Sequence, residues 1–193
     1  MKDLRATKQI FCMRIIRDKD KGILKLSQTE YVKKVFSRFS MDNAKLVSTP
    51  LRNHFKVNKD QSPKTKQECE YIDKIPYTLA IGSLMYDMVC TRLDIAHAVR
   101  VVSRYMSSLG KQHWEAVKWI LSYLKGSLET CLSFIAGGLT LEGFIDVDLV
   151  GDVDNRKSTT RYIYTLEGTP LSWNFTLQKT MLFQQQKLNM LQF

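Results

Sequence analysis

The sequence predicts an α+β chain: a basic, helix-rich body followed by a run of short strands. Two changes near the same point carry that expectation. From Tyr77 to about Lys125 apolar residues recur at helical spacing, whereas after Gly126 they come in short strand-like runs. The charge changes there too. The whole chain carries +10, but residues 1–135 hold +11 and the remainder −1. With 193 residues, 44% hydrophobic and 25% charged, the chain suits one domain or two small ones and is neither disordered nor collagenous.

Ile10–Ile16 and Gly22–Leu26 read as strands, and Asp18-Lys19-Asp20-Lys21-Gly22 between them supplies hairpin turn chemistry. Ser27-Gln28-Thr29-Glu30 has the spacing of a capping box and predicts a helix to about Phe39, with Tyr31, Val35 and Phe39 on one face. Three of the four prolines and many polar residues lie between Ser48 and Pro76, which predicts a long loop. Thr91 and Asp94 are placed to cap a helix from Ile95 to Met106, after one that starts near Tyr77. Another spans about Lys111 to Lys125, with Trp114, Val117, Leu121 and Leu124 as its apolar stripe. Strands follow at Cys131–Ile135, Leu141–Val147, Tyr162–Leu166 and Leu171–Phe175, with turns at Gly137-Gly138 and Asp152 to Asn155. A domain boundary is expected near residue 136.

Cys12, Cys69, Cys90 and Cys131 are far apart, so neither a zinc site nor a dense disulfide framework is expected. No apolar run approaches bilayer-spanning length, and Met1-Lys2-Asp3-Leu4-Arg5 lacks the apolar segment of a signal peptide. An intracellular chain, cytoplasmic or nuclear, with no membrane partner is expected. No small-molecule substrate is evident, since no phosphate-cradling glycine loop or activated serine motif occurs.

Lys111, Lys118 and Lys125 are seven residues apart and so fall close to one line on a helix. Such a line suits a phosphate backbone, with Arg100 and Arg104 as a second row; the competing reading is an ordinary solvated face. Trp114 and Trp119 are large enough to stack on bases, although Trp114 lies on the apolar stripe and reads as core. Asp146, Asp148, Asp152 and Asp154 form the dense acidic cluster. They mimic a calcium loop until Lys157 stands where the bidentate Glu belongs. Asp146 ends an apolar strand, from which a carboxylate can face divalent cations; two-metal hydrolysis needs several such groups converging from separate elements. His54, His97 and His113 have no telling partner and read as structural.

The segments Ile81-Gly82-Ser83-Leu84-Met85-Tyr86, Cys90-Thr91-Arg92-Leu93-Asp94-Ile95-Ala96 and His113-Trp114-Glu115-Ala116-Val117-Lys118 resemble copia-type retrotransposon Pol polyproteins. So does the string from Ile145-Asp146-Val147-Asp148 through Gly151-Asp152 and Asn155-Arg156-Lys157-Ser158-Thr159 to Leu171-Ser172-Trp173. The resemblance runs in family order over residues 1 to about 180. It implies the end of a reverse transcriptase palm, its thumb and connection over residues 1–135. Residues 136–180 would be the opening strands of an incomplete ribonuclease H-like sheet, and 181–193 an out-of-frame tail. Asp146 matches the first ribonuclease H carboxylate, which in the intact family holds Mg²⁺. The family's Tyr-x-Asp-Asp polymerase motif lies upstream of the matching segment, and Met1 resembles an internal methionine.

The next family carboxylate belongs to a Ser-Thr-x-Glu-Ala-Glu-Tyr segment expected after Leu177-Gln178-Lys179. Back-translation from the third base of the Met181 codon permits Ala-Leu-Ser-Thr-Thr-Glu-Ala-Glu-Tyr-Val-Ala-Val, which predicts a frameshift near Lys179–Met181. Family Pro is replaced by Leu93 and Leu109, and family Gly by Arg5, Cys12 and Arg161. The resulting expectation is a truncated, frameshifted Pol remnant without catalysis or retained cofactor. It would bind RNA, DNA or an RNA–DNA hybrid weakly and without sequence preference. The alternatives are a domesticated nucleic-acid-binding module and, further off, a residual metal-dependent ribonuclease H.

Overall fold

The computed structural model describes residues 8–52, 55, 58, 61–63, 65–138, 140–148 and 158–178. The expected turn from Asp152 to Asn155 and the 181–193 tail lie outside them. The described chain is α+β, with two antiparallel sheets around a helical core.

The first sheet has the order β1 (Gln9–Ile10), β2 (Met13–Asp18), β3 (Ile23–Ser27) and β4 (Leu132–Ile135). The β2–β3 hairpin forms as the sequence predicts, with Gly22 at φ +61° and the Lys21 amide donating to Asp18 Oδ1 at 3.1 Å. The single strand expected over Ile10–Ile16 does not form. Ile10 pairs with Met13 across a two-residue turn in which Phe11 and Cys12 take φ of 44° and 59°. Tight hairpins favour that left-handed backbone because its twist matches the strands, but Gly or Asn normally supplies it. Cys12, one of the positions at which the resemblance implies Gly, carries a side chain in this left-handed backbone and is strained there. Cys12→Gly is expected to raise stability by about 0.5–1 kcal/mol, after allowing for the extra unfolded-state entropy of Gly. A denaturation midpoint that is unchanged or lower would refute strain at this turn.

Helix α1 spans Thr29–Arg38, but the expected capping box is absent. Ser27 ends β3, its Oγ lies 2.8 Å from Thr29 Oγ1, and Glu30 turns to Lys33 at 3.2 Å. A true capping box occurs instead at Thr65 and Glu68, inside the segment expected to be loop, and opens α2 (Lys66–Asp73). Helix α3 runs Tyr77–Cys90, and a 3₁₀ turn at Leu93–Ile95 leads into α4 (Ala96–Ser103). Thr91 does not cap α4. Its hydroxyl donates to Gln28 Oε1 at 2.5 Å, while Asp94 binds Arg92. Helix α5 spans Lys111–Gly126, as expected. It starts at Gly110, where a Cβ would collide with the Gln61 carbonyl.

The core lies among α1, α3, α4 and α5. Val35, Phe36, Ile81, Leu84, Val99, Val117, Ile120 and Leu124 are buried together there. Full burial of such a side chain contributes about 1.5–3 kcal/mol. Trp114, expected in the core, is half-buried at its edge, with its ring 6.4 Å from both Phe39 and Tyr77.

The second sheet is β5 (Leu141–Asp148), β6 (Thr159–Leu166) and β7 (Thr169–Leu177). It docks by Thr169 Oγ1 donating to the Ser133 carbonyl at 2.8 Å and Trp173 Nε1 to the Met88 carbonyl at 3.0 Å. Phe175 is buried from β7, and strand β5 at the sheet edge exposes Leu141, Phe144 and Ile145.

Candidate nucleic-acid interface

Helix α5 turns its apolar stripe inward: Val117, Ile120, Leu121 and Leu124 have no exposed surface. Lys111 and Lys118 consequently lie exposed on the opposite side. The Lys118 ammonium sits 5.6 Å above the Trp114 ring, whose face attracts the charge and steadies the side chain. Lys125 behaves differently. Its ammonium donates to the carbonyls of Asp42 and Ala44, the latter at 3.0 Å, and so fastens the 42–44 segment to α5. The three-lysine line thus divides into two exposed charges and one structural tie.

Arg100 and Arg104, at the end of α4, are half-buried beneath the second sheet. With His97, Thr159, Arg161 and Phe175 they line a cavity of about 10 Å³, room for one water. Burial lowers the Arg100 guanidinium below its ordinary pKa, and neighbouring Arg104 pushes it the same way. Two cations held this close favour an anion beside them.

Asp146 is exposed on β5, opposite Arg161 of β6 in the sheet register. Arg161 Nη2 meets Asp146 Oδ2 at 2.5 Å. Among the described residues no group of three or more His, Cys, Asp or Glu is placed to hold a metal. Magnesium binds through several oxygen ligands and keeps several waters. A carboxylate already paired with a guanidinium, with no further acid grouped beside it among the described residues, does not fit it. Asp152 and Asp154, of the calcium-like pattern, lie outside the described residues.

The histidines divide in the same way. His54 lies outside the described residues, and His97 is exposed beside the cavity. His113 is fully buried, accepts from the Gly110 amide at 2.7 Å through Nδ1, and stacks on Tyr105 at 4.3 Å. Trp119 is engaged too. Its Nε1 donates to the Thr49 carbonyl at 2.8 Å, and Arg52 lies 4.1 Å over its ring.

Sequence reasoning missed Arg92. It is 2% exposed and bidentate to Asp94 at 2.9 and 2.6 Å, and it reaches the Ser127 carbonyl at 3.0 Å and Ser127 Oγ at 2.5 Å. Burial by itself would raise Asp94, but the hydrogen bonds and charge of Arg92 overcome it and hold the carboxyl below its ordinary value. The cluster joins the α3–α4 connection to the end of α5 and is structural.

No family model matches the chain, and no solved structure matches it. Among curated proteins it is 52% identical over 179 residues, 93% of its length, to the "Retrovirus-related Pol polyprotein from transposon TNT 1-94" of Nicotiana tabacum. The chain belongs to the copia-type retrotransposon Pol polyproteins. This Pol segment spans 14% of the tobacco polyprotein's length. It is also 34% identical over 157 residues to the Pol polyprotein of transposon RE2 of Arabidopsis thaliana, covering 81% of this chain and 10% of that one. A third relative, "Secreted RxLR effector protein 161" of Plasmopara viticola, is 42% identical over 108 residues. That match takes in 55% of the Pol segment and 76% of the effector, against 93% of the segment for the tobacco polyprotein. None of the described helices is long and apolar enough to cross a membrane.

Proposed function

We propose that this Pol segment is a thumb- and connection-like piece joined to ribonuclease H-like strands, and that it holds nucleic acid without performing chemistry on it. The observation that carries the binding half is the exposed Lys111 and Lys118 pair on one line of α5. The partner is RNA, DNA or their hybrid, met through phosphates, because exposed lysine ammonium groups on a helix face are point charges suited to the backbone, which carries no sequence information. The Asp146–Arg161 pair and the absence of a metal-holding group among the described residues support the other half: two-metal hydrolysis requires several convergent carboxylates.

The test is a salt titration of duplex binding. Each phosphate contact contributes about −0.9 to the slope of log K against log salt. Changing Lys111 and Lys118 to Gln is expected to flatten the slope by about 1.8 on the same basis. Changing exposed Lys66 and Lys74, at α2, removes equal charge and should matter less. Equal effects from both pairs would leave only a diffuse basic surface. With Mg²⁺ present, the protein is expected neither to extend a primer nor to cut the RNA of a hybrid. Cleavage that disappears in Asp146→Asn would overturn the inactive half.

A further inference from the structure

The register of β5 against β6 runs without a break from Leu141↔Leu166 to Asp148↔Thr159. It therefore sets Arg161 directly across from Asp146, because a slip by one residue would send the two side chains to opposite faces. Directly opposed side chains have Cβ atoms about 4.5–5.5 Å apart, close enough for a long guanidinium to fold onto a carboxylate. The remainder of Arg161 is anchored. On its other side it pairs with Phe175 of β7, its Nε is buried without a hydrogen-bond partner, and it lines the cavity shared with Arg100 of α4. Arg100 carries a like charge on that side, so the Arg161 head is favoured toward Asp146, the acid opposite it across the strand.

We propose that Arg161 is the resident cation of the Asp146 carboxylate and excludes divalent metal from it. The guanidinium places a permanent positive charge 2.5 Å from the oxygen that an incoming metal would need. The surface consequently offers guanidinium nitrogens, not a carboxylate-held metal, to any anion that approaches it. This inference rests on the Asp146–Arg161 geometry and stands or falls apart from nucleic-acid binding.

The experiment uses Mg²⁺ alone and follows the side-chain carboxyl ¹³C resonances of Asp146 and of Glu142, an exposed acid four residues earlier on the same strand face. In the native protein, Mg²⁺ is expected to move the Glu142 resonance and leave Asp146 nearly still. Arg161→Leu should make Asp146 respond, tightening its apparent Mg²⁺ affinity about three- to fivefold, the scale of an exposed ion pair. Arg161→Lys, which retains the charge, should keep Asp146 at or near its native response. Glu142 reports on the fold and on general screening in each variant. If Asp146 responds to Mg²⁺ as strongly as Glu142 in the native protein, or if Arg161→Leu leaves it unresponsive, the resident-cation role is wrong. Should the Leu variant fail to fold, the native comparison of the two carboxyls still decides. Loss of duplex binding with these results intact would remove the proposed function and leave this inference standing.

Discussion

Replacing Asp87 is expected to stabilise the fold, by an amount that grows with pH. Asp87 falls on the buried stripe of α3 with Ala80 and Leu84, has no exposed surface, and neither carboxyl oxygen accepts a hydrogen bond among the described residues. Burial pushes its pKa up to about 7; the Arg92 charge lowers it in part and Asp94 raises it again. In the unfolded chain the group ionises near 4. Between about pH 4 and 7 the folded chain therefore holds a proton that the unfolded chain has released, and stability falls as pH rises through that window. Above it the loss is complete, on the order of 3–4 kcal/mol. Asp87→Asn removes the titration and should flatten stability against pH between those limits. Asp87→Ala should raise stability at pH 8 by about 2 kcal/mol, the desolvation penalty relieved less the packing given up around a small cavity. Chemical denaturation across pH 4–8 measures both. A native profile that is flat or rising across this range would show that Asp87 is not an uncompensated buried acid.

Much of the fold was legible because it depends on periodicity. The stripe Val117, Leu121 and Leu124 marked α5, and the short apolar runs after Gly126 marked four strands, one of which joins the first sheet. What escaped has local physical reasons. The Phe11–Cys12 turn carries neither Gly nor Asn, so nothing in its chemistry announced positive φ. Helix α2 was hidden by the polar, proline-bearing stretch around it, although the Thr65–Glu68 capping box was present to be read. Asp94 looked like a cap because its spacing from Thr91 suits one, and only the tertiary fold reveals Arg92 as its partner. The candidate site was legible by residue type and less so by state. Lys111 and Lys118 are exposed as a helix face implies, whereas Lys125 is captured by carbonyls some eighty residues away in the sequence. Asp146 was recognisable on its strand, but Arg161 opposite it depends on a register that no local pattern dictates.

The second large effect belongs to Arg92, whose buried position makes its loss costly in an asymmetric way. Arg92→Met should lower stability by about 3 kcal/mol, the low end for breaking a buried ion pair, because Asp94 is a third exposed and keeps a 2.8 Å hydrogen bond from Tyr123. Arg92→Lys should recover little of this. An ammonium cannot reproduce the planar fork that holds both Asp94 oxygens and Ser127 at once. Combining Arg92→Met with Asp94→Leu should cost less than the sum of the two single changes, since neither partner is then left as an unpaired charge. The pH dependence has the opposite sense to that of Asp87. Asp94 is held below its ordinary pKa, so its contribution is present above about pH 4 and lost as pH falls through the depressed folded value. Acidification thus relieves Asp87 first and undermines Asp94 only afterwards, which places the stability maximum set by these two groups near pH 4, at the foot of the Asp87 window. Arg92→Met should shift that maximum to lower pH, because Asp94 then has no salt bridge to lose while Asp87 loses its one attractive charge. Additive single and double variants, or a maximum that stays in place, would mean that the Arg92–Asp94 pair is a bystander in the stability of this fold.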